Sequence, residues 1–206
     1  MFLETSRYLI DISYKLYQVK VKNDYIDPHI HVFPFQTIYV IRNPRDVLVS
    51  GYFFFHKTNL VKNPESLMNY FEWFLKGNVL YGSWFEHTRA WLSMRERDNF
   101  LLLCYEDLKQ DTRGTIEKIC DFLGKKLETD ELDLVLKHSS FQAMKENKMS
   151  NFSLIPEDAV TNGLNLMRKG TTGDWKNHFT VAQAEAFDKV FQEKMIGFPP
   201  ELFPWQ

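Results

Sequence analysis

Apolar positions gather in two ways along this chain. Thr37-Ile38-Tyr39-Val40-Ile41 and Phe100-Leu101-Leu102-Leu103-Cys104-Tyr105 are short unbroken runs bounded by polar residues. Runs of that length without polar alternation suit a strand covered on both faces, so each predicts a buried strand. Elsewhere apolar residues recur at helical spacing, as Trp84, Phe85, Thr88, Trp91 and Leu92 do. That spacing predicts helices over residues 46–56, 64–76, 82–97, 111–123, 129–137, 140–146 and 180–194. The punctuation agrees: Pro44 and Asp46 sit where a helix starts, Gly124 follows a helix end, and Thr180 is an N-cap. Gly51 is a weak spot in the first helix, and residues 106–108 read as a turn. Buried strands alternating with helices predict an α/β domain, a parallel sheet flanked by helices.

Residues 1–35 do not share this pattern. A short helix over residues 5–17 is the one element they offer, and they end in the broken segment Asp27-Pro28-His29-Ile30-His31-Val32-Phe33-Pro34. The chain therefore divides into a divergent N-terminal segment, 1–35, and a single domain, 36–206.

Composition narrows the function classes. A chain of 206 residues with 44% hydrophobic and 25% charged residues buries a core without staples. Its net charge of -2 argues against a nucleic-acid or anionic-membrane partner for the whole chain, yet leaves room for a local cluster that holds one phosphate. Two cysteines, Cys104 and Cys120, make no disulfide framework and fit a reducing compartment. The longest apolar stretch, residues 47–55, is interrupted and falls far short of the ~20 residues of a spanning helix. The start has no signal-peptide core. The expectation is a soluble, cytoplasmic protein. Its 18 phenylalanines call for a heavily aromatic core, an apolar pocket, or both.

Three places offer chemistry. Arg42 stands at the end of the first strand, where open α/β sheets hold ligands, and a helix follows with free N–H groups. Its guanidinium suits a phosphate; it equally suits a structural ion pair with Asp46 or a glutamate. Ser50 lies two turns along that helix with one more donor. The segment Arg168-Lys169-Gly170-Thr171-Thr172-Gly173-Asp174-Trp175-Lys176 sets two cations before two glycines: a phosphate cradle, or a solvated basic turn. No Walker A motif occurs. The aromatic run Tyr52-Phe53-Phe54-Phe55 covers every face of a helix, so some of it serves a pocket rather than one core. The six histidines show no zinc spacing and no cysteine neighbour, so no metal is expected.

Arg42-Asn43-Pro44-Arg45-Asp46-Val47-Leu48-Val49-Ser50-Gly51-Tyr52 and Arg168-Lys169-Gly170-Thr171-Thr172-Gly173-Asp174-Trp175-Lys176-Asn177-His178-Phe179 resemble the signatures of the cytosolic sulfotransferases. The similarity runs from about Thr37 to Phe203-Pro204-Trp205. Tyr81-Gly82-Ser83-Trp84-Phe85 and Lys145-Glu146-Asn147-Lys148-Met149-Ser150-Asn151 are most like the hydroxysteroid (alcohol) branch. The resemblance implies a P-loop-NTPase-like sulfotransferase fold. It also implies transfer of a sulfuryl group from 3'-phosphoadenylyl sulfate (PAPS) to a steroid, bile-acid or similar alcohol, with adenosine 3',5'-bisphosphate (PAP) as product. Arg42 and Ser50 would hold the 3'-phosphate, with Arg168, Lys169 and Gly170 closing over it. Tyr105 and Ser139 would contact the adenine and Phe141 would stack on it. Phe54, Phe55, Tyr81 and Phe152 would line the acceptor pocket. Lys176, Thr180, Val181 and Glu185 match the family's short dimerisation motif, which implies a homodimer or a heterodimer with a full-length relative.

One departure bears on mechanism. The family's Tyr-Pro-Lys-Ser-Gly-Thr loop, which cradles the 5'-phosphosulfate and supplies a lysine to the leaving group, does not occur in this sequence. Aligned on Phe33-Pro34, the family's catalytic histidine falls on Asp27, and neither His29 nor His31 has its context. The catalytic residues are therefore unassigned. The expectation is an N-terminally truncated or divergent member, with a catalytically impaired isoform that keeps the 3'-phosphate site and the dimer motif as the alternative. Sulfuryl transfer needs charge stabilisation at the leaving oxygen and a base at the acceptor, and both providers fall in that missing stretch.

Overall fold

A computed structural model describes residues 36–57, 63–151, 153–154 and 167–206. The helix expected over residues 5–17, Asp27, His29, His31 and Phe152 lie outside them.

Two strands, β1 (Thr37–Ile41) and β2 (Phe100–Cys104), pair in parallel with Thr37 opposite Phe100 and Ile41 opposite Cys104. The connection between them carries α1 (Pro44–Phe55), α2 (Leu67–Lys76) and α3 (Trp84–Leu92). Beyond β2 come α4 (Tyr105–Gln110), α5 (Thr112–Phe122), α6 (Thr129–His138) and α7 (Phe141–Glu146). A 3-10 turn (Asp174–Asn177), then α8 (Val181–Lys194), complete the part that shapes the site. The architecture is the expected one, a parallel sheet with helices around it.

Local chemistry starts these helices where the sequence marks them. The Asn43 side chain accepts from Arg45 N at 3.0 Å and Pro44 occupies the first turn of α1. Ser66, Ser83, Asp111 and Ser140 cap α2, α3, α5 and α7 in the same way. Thr180 and Gln183 form a reciprocal capping box on α8.

Two expectations need correction. Residues 106–108 are not a turn: Tyr105 starts α4 directly after β2. Glu106 explains the tight junction, since its carboxylate accepts from Asn43 N at 3.1 Å and from Cys104 Sγ at 3.0 Å, tying both strand ends together. Gly51 is not a weak spot: α1 runs through it. A Cβ there would lie 2.6 Å from Tyr70 Oη, so glycine is what lets α2 close on α1.

The core is aromatic. Phe187 on α8 is fully buried at its centre, with ring centroids 6.1 Å from Phe85 and Phe179 and 6.3 Å from Phe71 and Phe74. Phe191 extends the cluster to Phe85 and Phe203. Tyr39, packed against the same cluster, stacks on Trp91 at 5.5 Å, its hydroxyl within 3.2 Å of Thr88 Oγ1; burial pushes that phenol up to about 12. Among the described residues, most phenylalanines pack in or against this core. Replacing Phe187 with Ala empties a site where rings from α2 and α3 meet α8. A loss of about 3–5 kcal/mol in urea unfolding is expected, because packed rings on all sides prevent collapse into the cavity.

Candidate functional site

The parallel register sets the two strand ends side by side, and the site grows from there. Arg42 follows β1 and Tyr105 follows β2; the guanidinium lies over the tyrosine ring, 4.3 Å from its centroid. Burial raises the Tyr105 phenol, the Arg42 charge opposes this, and the net effect is upward. Arg42 is half-buried, and its Nε is buried with no hydrogen-bond partner among the described residues. One terminal nitrogen donates to the carbonyl of Thr171 at 3.2 Å. Arg42 is therefore joined to the second motif, not to Asp46.

Asp46 has a different task, invisible in local spacing. It is 2% exposed, and its two oxygens accept from the backbone N–H groups of Gly173 at 2.6 Å and Trp175 at 2.9 Å. These bonds pin the 168–176 segment to the start of α1 across more than a hundred residues of chain. Arg45 adds a second anchor. It bonds Asp188 on α8 through Nε at 3.1 Å and through a terminal nitrogen, and its guanidinium lies 5.1 Å from the Trp175 ring and 5.2 Å from that of Phe187.

The pinned segment presents Arg168, Lys169 and Gly170. Arg168 Nη2 donates to Asp174 Oδ2 at 2.7 Å and Lys169 Nζ to Asp174 Oδ1 at 2.6 Å. The Arg168 guanidinium also lies over the Phe53 ring at 4.6 Å. Asn177 donates to Asp174 Oδ1 at 3.1 Å, and His178 Nε2 sits 3.3 Å from Oδ2 without hydrogen-bond alignment. Burial raises the Asp174 carboxyl, but hydrogen bonds from Lys169, Arg168 and Asn177, with the Arg168 charge, outweigh it and hold the group well below the usual carboxylate range.

Gly170 has φ +65, and a Cβ there would fall 2.2 Å from Phe141 Cδ2. The ring of Phe141, at the start of α7, therefore lies flush against the Gly170 backbone. The structure thus brings together Arg42, Tyr105, the 168–171 segment and Phe141. Ser139 is exposed at the end of α6, its hydroxyl 3.4 Å from the Leu136 carbonyl. Ser50 is half-buried on α1.

The aromatic candidates divide. Phe55 lines an open cavity of about 290 Å³ together with Pro64, Tyr70, Trp73, Asn78, Val79 and Leu80. Phe54 is half-buried edge-on to Phe55, and Tyr81 is 54% exposed; neither lines that cavity. Lys176, Thr180, Val181 and Glu185 are spread around the 3-10 turn and the start of α8, with Val181 76% exposed. Among the described residues no cluster of His, Cys, Asp or Glu is set to hold a metal, and no helix is long and apolar enough to cross a membrane.

Asp46, Asp174 and the Thr171 carbonyl are the participants that the spacing of the motifs does not announce. The one local signal for Asp174 is an acid five residues after Lys169 in a segment otherwise basic.

An α/β fold that gathers cations where its parallel strands end is of the kind that holds phosphorylated ligands. The comparisons with known proteins give the class its name: residues 23–199 match the sulfotransferase domain, and the chain belongs to that family. Sulfotransferase 2A1 of Mus musculus is 80% identical over 171 residues, which cover 83% of this chain and 60% of that protein. The 3-alpha-hydroxysteroid sulfotransferase of Cavia porcellus is 65% identical over 184 residues, 86% of this chain and 64% of that protein. Among solved structures, that of mouse sulfotransferase SULT7A1 complexed with PAP matches with a TM-score of 0.70 at 35% identity, covering 79% of this chain and 59% of that one. The chain thus spans less than two thirds of the length of each of these relatives.

Two outcomes follow from this geometry. Gly170→Ala meets both a left-handed backbone, about 1–2 kcal/mol, and the Phe141 ring. Gly173→Ala meets the same backbone sign with nothing within 4 Å of its Cβ. Urea unfolding should show the larger loss at Gly170. Asp174 is depressed in the folded protein, so its contribution to stability is fully present above the unfolded carboxyl value of 3.8 and is lost as pH falls below it. The gap in urea midpoint between the wild type and Asp174→Asn should be widest near neutrality and close progressively below that pH.

Proposed function

We propose that residues 36–206 carry the 3'-phosphoadenosine side and part of the acceptor side of a hydroxysteroid-type sulfotransferase. In this reading the protein takes part in sulfuryl transfer from PAPS to a steroid, bile-acid or similar alcohol. The observation that carries the nucleotide half is the meeting of Arg42 with the 168–171 segment. The two signatures lie 126 residues apart from Arg42 to Arg168 in the sequence, and the Arg42–Thr171 bond joins them. The fit to a phosphorylated nucleotide rests on two further features. Among the described residues Arg42 Nε is buried with no hydrogen-bond partner, and the Phe141 ring lies against Gly170 next to the cations.

In this assignment Arg42, Ser50, Arg168, Lys169 and the Gly170 backbone hold the 3'-phosphate by charge-assisted bonds from several sides. Tyr105, Ser139 and Phe141 hold the adenine. PAPS, when bound, supplies the sulfuryl group; the chain's described residues bind and orient its adenosine 3'-phosphate end. Phe54, Phe55, Tyr81 and Phe152 serve the alcohol, and the apolar cavity beside Phe55 is in keeping with a sterol-like acceptor. Lys176, Thr180, Val181 and Glu185 form a small self-association patch, for a homodimer or a pairing with a full-length relative. The setting is the cytoplasm, and no metal enters the chemistry.

A second reading is favoured by a specific observation: Tyr-Pro-Lys-Ser-Gly-Thr does not occur among the 206 residues. On that reading the chain binds the nucleotide and does not turn it over. Calorimetry and a radiolabelled transfer assay separate the cases. Binding of PAP in preference to adenosine 5'-monophosphate is expected, and absence of that preference overturns the nucleotide assignment. Labelled product with a panel of hydroxysteroids favours the transferase reading; binding without product favours the second.

A further inference from the structure

We propose that Asp174 is the positioning residue of the phosphate clamp: it seats Arg168 on one carboxylate oxygen and Lys169 on the other, so that a 3'-phosphate meets both cations already in place. The proposal rests on the nucleotide reading above. Its basis is the layering of the three side chains. Asp174 is 6% exposed, while Arg168 and Lys169 are 30% and 46% exposed. The acid lies beneath and the two cations lie over it with their outer sides toward solvent. A ligand reaches the cations and not the carboxylate.

The carboxylate is itself held. Asp174 opens the 3-10 turn directly after Gly173, whose N–H is bound to buried Asp46 on α1. Asn177 donates to the same oxygen as Lys169. His178 Nε2 faces the other oxygen at 3.3 Å. A chain of contacts thus runs from the start of α1 through Asp46 and Asp174 to the two cationic tips.

Two effects of this acid oppose each other. Its charge subtracts from the positive field that draws a phosphate. Its bonds also remove the rotamer freedom of a long lysine and a long arginine before the ligand arrives, a cost otherwise met on binding. Arg168 is braced further by the Phe53 ring. Two cations over one acid keep a net positive charge, and Arg42 adds to it from the β1 end. The buried Asp46 carboxylate on Gly173 and Trp175 offsets one of those charges, so what Asp174 adds is placement rather than field.

The test uses the full chain and two nucleotides, PAP and adenosine 5'-monophosphate, which differ in the 3'-phosphate. In Asp174→Asn the Kd for PAP should rise roughly tenfold, the scale of ordering two long side chains on binding, while the Kd for adenosine 5'-monophosphate stays unchanged. Asp174→Glu keeps the charge on a longer arm and should fall between. Equal weakening of both nucleotides marks a merely structural role and overturns the proposal. So does an unchanged or tighter Kd for PAP. If Asp174→Asn does not fold, Asp174→Glu is judged by the same comparison. A wild type that does not prefer PAP removes the nucleotide reading and this proposal together. A wild-type preference that survives intact in the variants removes this proposal alone.

Discussion

Everything at this site depends on one buried carboxylate answering two backbone amides. Asp46 accepts from Gly173 and Trp175, and no other described contact brings the 168–176 segment to the start of α1 with comparable constraint. A charged acceptor buried to 2% exposure is tolerated only if its lone pairs are met, and the two N–H groups meet them. The same bonds fix the turn that follows. With Gly173 in the left-handed region, the chain enters the 3-10 turn with Asp174 beneath Arg168 and Lys169. Arg42 then closes the ring by reaching the Thr171 carbonyl. Two motifs far apart in sequence become one surface through a handful of polar bonds on a rigid aromatic base.

That base explains why a site built from loops keeps its shape. Phe187 packs against rings from α2, α3 and the turn before α8, and Arg45 lies between Phe187 and Trp175. The guanidinium serves the core and the site at once, close to two aromatic rings and bonded to Asp188 through Nε and one terminal nitrogen. Sulfotransferase family membership and the shared fold give this arrangement its context.

Legibility followed the range of the interactions. β1 and β2 were readable because a short apolar run carries its own signal, and α1, α2 and α8 because caps and periodicity are local. The six-residue α4 was not readable: it is too short for a periodic stripe, and its junction with β2 is set by Glu106 bonding Asn43 just past the end of the other strand. Arg42, Arg168, Lys169 and Gly170 stood out from their residue types and positions, Phe141 through family resemblance alone, and the fold gathers them around one place. Asp46 read locally as an N-terminal helix acid or an ion-pair partner, and its true partners lie 127 and 129 residues away. No window along the chain contains that information.

The same separations govern how the molecule assembles. The β1–β2 ladder joins Thr37 to Phe100, whereas the Arg42–Thr171 and Asp46–Gly173 bonds close loops of 129 and 127 residues. Closing a longer loop forfeits more chain entropy before any contact repays it, so contacts of high sequence separation form late. The helices and the strand pair have shorter spans and form first. The surface that joins the two motifs therefore carries a larger closure cost than the strand pair beneath it, by roughly 0.6 kcal/mol per doubling of loop length. Any ligand that bridges Arg42 and the 168–171 segment would hold that closure shut and offset part of its cost.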